Sequence, residues 1–208
     1  MKKKIIILGS TGSIGKTTLN IIKKNKNNFI VDLLTTNKNI NVIENQCKEF
    51  NVKNIIISSK LHFEKFKKKN KNKKLNIFND FNIVNKILKK KVDYCMSAIT
   101  GLAGLEPTLK CIKHSKKIAI ANKESIICAW NLIKNELKKN NTEFIPIDSE
   151  HFSINELIKF QKNKQIKKII ITASGGPFLN KKNKKMIKIH DALKHPTWKM
   201  GKKISIDS

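Results

Sequence analysis

Two carboxylates, a hydroxyl and an imidazole fall within one short stretch, Asp148-Ser149-Glu150-His151. They follow an apolar run, Phe144-Ile145, and precede Ile154 to Phe160, which is patterned as a helix. In an extended segment, residues two apart project to the same side, so Asp148 and Glu150 would offer hard oxygen ligands together. Such donors suit Mg²⁺ or Mn²⁺. The same residues also make a good helix start, with Asp148 or Ser149 as the cap and Glu150 in the first turn. Spacing alone leaves both readings open.

A second polar cluster, Asn122-Lys123-Glu124-Ser125, ends the strand-like run Lys117 to Ala121. Lys123 could neutralise an anionic substrate, and Asn122 or Glu124 could touch a cofactor or a ribose. Alternatively Asn122 or Ser125 caps the next helix and Lys123 faces solvent. A third cluster opens the chain. Ile5-Ile6-Ile7-Leu8 reads as a buried parallel strand, Gly9-Ser10-Thr11-Gly12-Ser13-Ile14-Gly15 as a turn, and Thr17 to Ile22 as a helix. Strand, glycine turn and helix together form a dinucleotide-binding context. The glycines permit a tight turn and close approach to a pyrophosphate, and the helix N-terminus favours the anion. The spacing is GxxGxxG rather than GxGxxG, so an ordinary βα turn is the competing reading. A Walker loop is excluded, because the first glycine of its spacing is absent before Gly15-Lys16-Thr17.

The elements that would position these clusters alternate. Strand-like runs at Phe29 to Leu34, Asn54 to Ser58, Leu75 to Phe78, Val92 to Ala98, Lys117 to Ala121 and Glu143 to Ile147 are separated by helical stretches. Repeated βα units predict an α/β fold, a Rossmann-like, mainly parallel sheet with ligands at the strands' carboxyl ends. After the second strand comes Thr35-Thr36-Asn37-Lys38-Asn39. A fold preferring NAD would place an acid there for the ribose 2′-OH. Asp32 lies within the strand instead, and small polar groups with Lys38 suit a 2′-phosphate, so NADP is the expected cofactor. An ordinary polar loop is the alternative.

Beyond His151 the pattern predicts a strand from Ile166 to Thr172. The loop Ala173-Ser174-Gly175-Gly176-Pro177-Phe178 follows; it would cradle a phosphate or simply turn the chain. His195-Pro196-Thr197-Trp198-Lys199-Met200-Gly201 would form a closing lid, or else anchor an aromatic in a core. Lys203 to Ser208 reads as one more strand.

Composition narrows the partners. The net charge is +29, yet all 44 basic residues are Lys. Lys, Asn and Ile make up almost half the chain, which points to an A/T-rich coding bias. Nucleic-acid readers depend on the Arg fork, so no specific nucleic-acid partner is expected. No apolar run reaches the length of a membrane span, so no membrane partner is expected either. The first apolar run stops at Gly9, as a strand does and a leader does not, and a cytoplasmic protein is the expectation. Cys47, Cys95, Cys111 and Cys128 show no metal-type spacing and read as reduced thiols.

Taken in order, the glycine turn, Ala121-Asn-Lys-Glu-Ser125, Ile147-Asp-Ser-Glu-His151, Ser174-Gly-Gly-Pro-Phe178 and His195-Pro-Thr-Trp-Lys-Met-Gly201 closely resemble the 1-deoxy-D-xylulose-5-phosphate reductoisomerase family. The resemblance runs from Lys4 to Ser208. It implies an NADPH- and metal-dependent oxidoreductase that isomerises and reduces 1-deoxy-D-xylulose 5-phosphate, a phosphosugar, to 2-C-methyl-D-erythritol 4-phosphate in isoprenoid synthesis. It implies an NADPH-binding domain over 1–149 and the beginning of an α+β catalytic domain over 150–208. Thr11, Gly12, Ser13 and Ile14 would line the pyrophosphate, and Asn37, Lys38 and Asn39 the 2′-phosphate, although the family often has Gly where Asn37 stands. Asn122, Glu124 and Gly201 would contact NADPH. Lys123, Ser149, Glu150, Ser174, His195 and Ser208 would bind substrate, and Asp148 and Glu150 would hold Mg²⁺ or Mn²⁺. Lys123, Asp148, Glu150 and His195 would form the catalytic group. The family runs well past Ser208 and there carries further metal and phosphate ligands. The chain is therefore expected to be an N-terminal half, weakly active or an inactive NADPH-binding remnant by itself, with a homodimer implied for the complete enzyme.

Overall fold

The computed structural model describes residues 1–70, 75–161, 166–172, 175–180 and 187–197. Its strands are β1 (Lys3–Leu8), β2 (Phe29–Thr36), β3 (Asn54–Ile57), β4 (Asn76–Phe78), β5 (Val92–Ser97), β6 (Ser115–Ile120) and β7 (Glu143–Pro146). They form one seven-stranded sheet in the order β4-β3-β2-β1-β5-β6-β7. Every adjacent pair is parallel. The crossovers are α1 (Ser13–Lys24), α2 (Ile40–Phe50), α3 (Lys60–Lys69), α4 (Val84–Ile87), α5 (Leu105–Ile112) and α6 (Lys123–Lys139). After β7 come α7 (Ser149–Lys159) and, further on, α8 (Ile189–Ala192).

β1 shows why a continuous apolar run is needed at the centre. Ile6 and Leu8 enter one core, shared with Val92, Cys95, Cys111, Ile112, Ile118 and Ile133. Ile5 and Ile7 enter the opposite core with Leu19, Ile22, Leu34, Ile43 and Ile55. Alternate side chains of one strand therefore fill both layers, and each buried Ile contributes about 1.5–3 kcal/mol relative to an exposed one. The strand order reverses between β1 and β5, and an open α/β sheet has its ligand crevice at that reversal, outside the carboxyl ends.

Several expectations are corrected. The helix after β7 starts at Ser149 rather than Ile154, as the capping alternative for Asp148 to Glu150 had it. No residue of α7 is buried, so hydrophobic periodicity carried no record of its first turn. The helical stretch expected between β4 and β5 splits into a 3₁₀ turn, Phe81–Ile83, and the short α4. Residues 166–172 belong to no strand, and Ile169, Ile170 and Ile171 are 52, 70 and 60% exposed. The residue types there favour a strand, but a strand exists only by pairing, and no ladder reaches this segment among the described residues. The expected strand from Lys203 lies outside the described residues.

The chain divides into two compact units, Met1–Glu156 and Leu157–Ser208. Among the described residues, no helix is long and apolar enough to cross a membrane.

Candidate functional site

The β1–α1 turn uses its three glycines differently. Gly9 has φ +77°, and a Cβ there would lie 2.7 Å from the Ala98 carbonyl oxygen beyond β5. At Gly15 a Cβ would lie 2.4 Å from the Gly9 oxygen and 2.5 Å from Ser10 Cα, so only glycine lets α1 sit this close to the turn. Gly12 is not forced by packing, since a Cβ there would meet only the Gly9 oxygen, at 3.4 Å. It is exposed at the start of α1, which carries no side-chain cap and no acid in its first turn. An uncapped helix N-terminus beside a bare backbone suits a phosphate.

The turn is tied to the end of β2. Gly9 N donates to Thr35 Oγ1 at 2.8 Å and Ser10 N to the Thr35 carbonyl at 2.9 Å. The Thr11 and Thr36 hydroxyls share a 2.8 Å hydrogen bond. Ser10 is also held by Gln46 of α2. Thr35 and Thr36 were read from sequence as small polar groups after the second strand; they belong to β2 and hold the glycine turn. Gln46 was not recognised as part of the site, and its one signal was a polar residue at helical spacing from Ile43 and next to Cys47 on α2. Directly beyond Thr36, Asn37, Lys38 and Asn39 are all exposed. Asp32 is engaged within the sheet by Lys4 at 3.3 Å, so no acid from β2 stands at this edge.

At the end of β6, Asn122 caps α6. Its Oδ1 accepts from Ser125 N at 2.9 Å, and its Nδ2 donates to the carbonyls of Ile99 at 2.7 Å and Gly101 at 2.6 Å. The capping alternative thus holds for Asn122, which also fastens the loop after β5 to the start of α6. The Ser125 hydroxyl, fully buried, has no hydrogen-bond partner. Lys123 is not merely solvated: its Nζ lies 2.5 Å from Asp148 Oδ2. Within α6 the backbone breaks at Ala129, φ −139° and ψ 29°.

At the end of β7, Asp148 occupies the cap position, its carbonyl accepting from Phe152 N at 2.8 Å. Its carboxylate is shared between Lys123 and His151, whose Nδ1 lies 2.7 Å from Oδ1. Partial burial pushes the Asp148 pKa up. The hydrogen bonds from Lys123 and His151 and the Lys123 charge outweigh it and hold the carboxyl well below its usual range. Glu150 and Ser149 are exposed, with Ser149 Oγ donating to Glu150 Oε2 at 2.7 Å. The two carboxylates are thus not side by side on a strand: Asp148 caps α7 and Glu150 lies in its first turn. Hard oxygen donors suit a divalent cation, but among the described residues no group of three or more His, Cys, Asp or Glu converges as a metal site.

In the second unit, Gly175 and Gly176 have φ of +78° and +66°, a backbone suited to a tight, amide-rich loop. His195 Nδ1 accepts from Thr197 N at 3.0 Å, which places the proton of the neutral ring on Nε2. Ser174, Trp198, Gly201 and Ser208 lie outside the described residues.

A parallel sheet that reverses at a glycine turn, with polar groups along its carboxyl edge, defines a Rossmann-like α/β protein. Comparison with known proteins is more specific. The family model for 1-deoxy-D-xylulose 5-phosphate reductoisomerase matches residues 5–130, and that for its C-terminal domain matches residues 144–208. The chain belongs to the 1-deoxy-D-xylulose 5-phosphate reductoisomerase family. It is 56% identical over 210 residues to the Pelagibacter ubique enzyme of that name, covering 99% of this chain and 54% of that protein. It is 44% identical over 209 residues to the Thermodesulfovibrio yellowstonii enzyme, again covering 99% and 54%. Among solved structures, the Zymomonas mobilis reductoisomerase in complex with NADPH superposes with TM-score 0.79 at 30% identity, covering 93% of this chain and 50% of that one. A DOX-P reductoisomerase in complex with NADPH, fosmidomycin and magnesium superposes with TM-score 0.81 at 34% identity, covering 99% and 54%. The chain spans about half the length of the curated relatives it matches.

Proposed function

We propose that residues 1–149 bind NADPH and that residues from 150 begin the catalytic part of a 1-deoxy-D-xylulose 5-phosphate reductoisomerase. The carrying observation is the carboxyl edge of the sheet, where contacts run from Thr36 through the glycine turn to Ala98, Gly101, Asn122, Lys123 and Asp148. Cofactor and reacting groups would thus share one edge.

In this reading the Thr11–Ile14 backbone receives the pyrophosphate, and Lys38 with Asn37 and Asn39 the 2′-phosphate. Glu124 and Gly201 contact the cofactor, while Asn122 acts chiefly by holding the Ile99–Gly101 loop. Asp148 and Glu150 hold Mg²⁺ or Mn²⁺, and Lys123, Ser149, Ser174, His195 and Ser208 orient the phosphosugar. When bound, NADPH supplies hydride and the divalent ion polarises substrate oxygens. The Lys123 ammonium, now on Asp148, is placed to compensate negative charge on the substrate once a cation takes its position. Two such chains would pair in the complete enzyme.

A second reading is that this chain binds NADPH without turnover. It is favoured by the Asp148 carboxylate, which Lys123 and His151 already engage at 2.5 and 2.7 Å. NADPH oxidation by the chain with 1-deoxy-D-xylulose 5-phosphate and Mn²⁺, run beside NADPH binding, separates the two. Turnover abolished by Asp148→Asn supports the enzyme, and binding without turnover supports the remnant. Absence of both overturns the proposal.

A further inference from the structure

Gln46 is 7% exposed, on the face of α2 that carries Ile43 and Cys47 into the core. Burying a primary amide is costly unless its donor and acceptor are used. Both are used on one residue. Gln46 Oε1 accepts from Ser10 Oγ at 2.8 Å, and Gln46 Nε2 donates to the Ser10 carbonyl at 2.9 Å. Ser10 N is meanwhile held by the Thr35 carbonyl at 2.9 Å. The backbone on both sides of Ser10, and its hydroxyl, are therefore fixed from two other elements, β2 and α2.

A trans peptide is planar, with its C=O and N–H antiparallel. Holding the Ser10 carbonyl toward Gln46 turns the Thr11 N–H away from Gln46. Thr11 is one residue from Gly12, where the bare backbone and the uncapped start of α1 leave room for an anion. We propose that Gln46 is a positioning residue for the diphosphate of the dinucleotide: it locks the Ser10–Thr11 peptide so that the Thr11 N–H is presented to a phosphate oxygen. This rests on the NADPH reading of the turn. A role limited to fastening α2 to the sheet would weaken folding without distinguishing one ligand from another.

The test compares NADPH with adenosine 2′-monophosphate, which shares the 2′-phosphate and lacks the diphosphate. Both are titrated into the 208-residue chain as wild type, Gln46→Met and Ile43→Val. Gln46→Met keeps the length of the side chain and removes both hydrogen bonds. Its NADPH Kd should rise about tenfold or more, while the adenosine 2′-monophosphate Kd stays within about twofold. Ile43→Val, a core change on the same helix, should leave both constants alone. An unchanged NADPH Kd in Gln46→Met, or equal loss of both ligands, overturns the inference. A second measurement needs no variant. In isotope-labelled wild type, the Thr11 amide resonance should move on adding NADPH and stay in place on adding adenosine 2′-monophosphate. A Thr11 amide indifferent to NADPH overturns the inference even if Gln46→Met fails to fold. Wild type that binds no NADPH at all overturns the cofactor reading itself, a result distinct from binding that ignores Gln46.

Discussion

The Lys123 ammonium sits 2.5 Å from Asp148 Oδ2, joining the end of β6 to the end of β7. A divalent cation on Asp148 must displace or share this contact. Lys123 is well exposed, so water screens the pair and limits its strength. Replacing Lys123 by Met should tighten Mn²⁺ binding by about three- to tenfold, because the carboxylate loses a competing charge. Asp148→Asn should abolish it. Electron paramagnetic resonance of free Mn²⁺ reads both. Weaker Mn²⁺ binding by Lys123→Met would show that the ammonium does not compete for this carboxylate.

Gly12 and Gly15 should separate stability from binding. Gly15→Ala drives a methyl to 2.4 Å from backbone oxygen and should cost about 1–3 kcal/mol of folding stability. Gly12→Ala meets nothing closer than 3.4 Å and should leave the urea midpoint nearly unchanged. It should still weaken NADPH, since the methyl occupies the face left bare for phosphate. Equal loss of stability in the two variants would contradict the roles assigned to them.

Lys38 should set the choice of nucleotide. A charged hydrogen bond is worth about 1.5–3 kcal/mol, so Lys38→Met should raise the NADPH Kd by about tenfold or more. NADH, which has no 2′-phosphate, should bind as before. Isothermal titration with both nucleotides decides it, and parallel weakening of NADH would place Lys38 elsewhere.

The thiols should divide by burial. Cys47, Cys95 and Cys111 are buried and Cys128 is exposed. Burial, then the neighbouring Glu44 charge, pushes the Cys47 thiol up to about 12. A raised thiol pKa stabilises the fold below the unfolded value of about 8.5, and that contribution is lost as pH climbs toward the folded value. In mildly alkaline buffer, Ellman's reagent should therefore titrate Cys128 quickly and the three buried thiols only on unfolding. Fast reaction of Cys47 in folded protein would contradict the packing of α2.

Much of this was legible because β1 must be apolar on both faces, so Ile5 to Leu8 announces a central parallel strand. The glycine turn was legible because glycines at such spacing serve a close approach. The Asp148–Lys123 pair was not, since residues 25 apart meet only through sheet order. The start of α7 was legible only as a capping alternative at Asp148 to Glu150, because exposed Ser149, Glu150 and His151 carry no apolar period to decide it. The Ile166–Thr172 segment misled for the opposite reason: apolar content without a partner makes no strand.

The most direct measurement is an NADPH titration of the 208-residue chain, with NADH in parallel. Saturable one-to-one NADPH binding, about tenfold or more tighter than NADH, is the expected result. Failure of a folded chain to bind NADPH, or equal affinity for NADH, would contradict the assignment of the glycine turn and Lys38 to that cofactor.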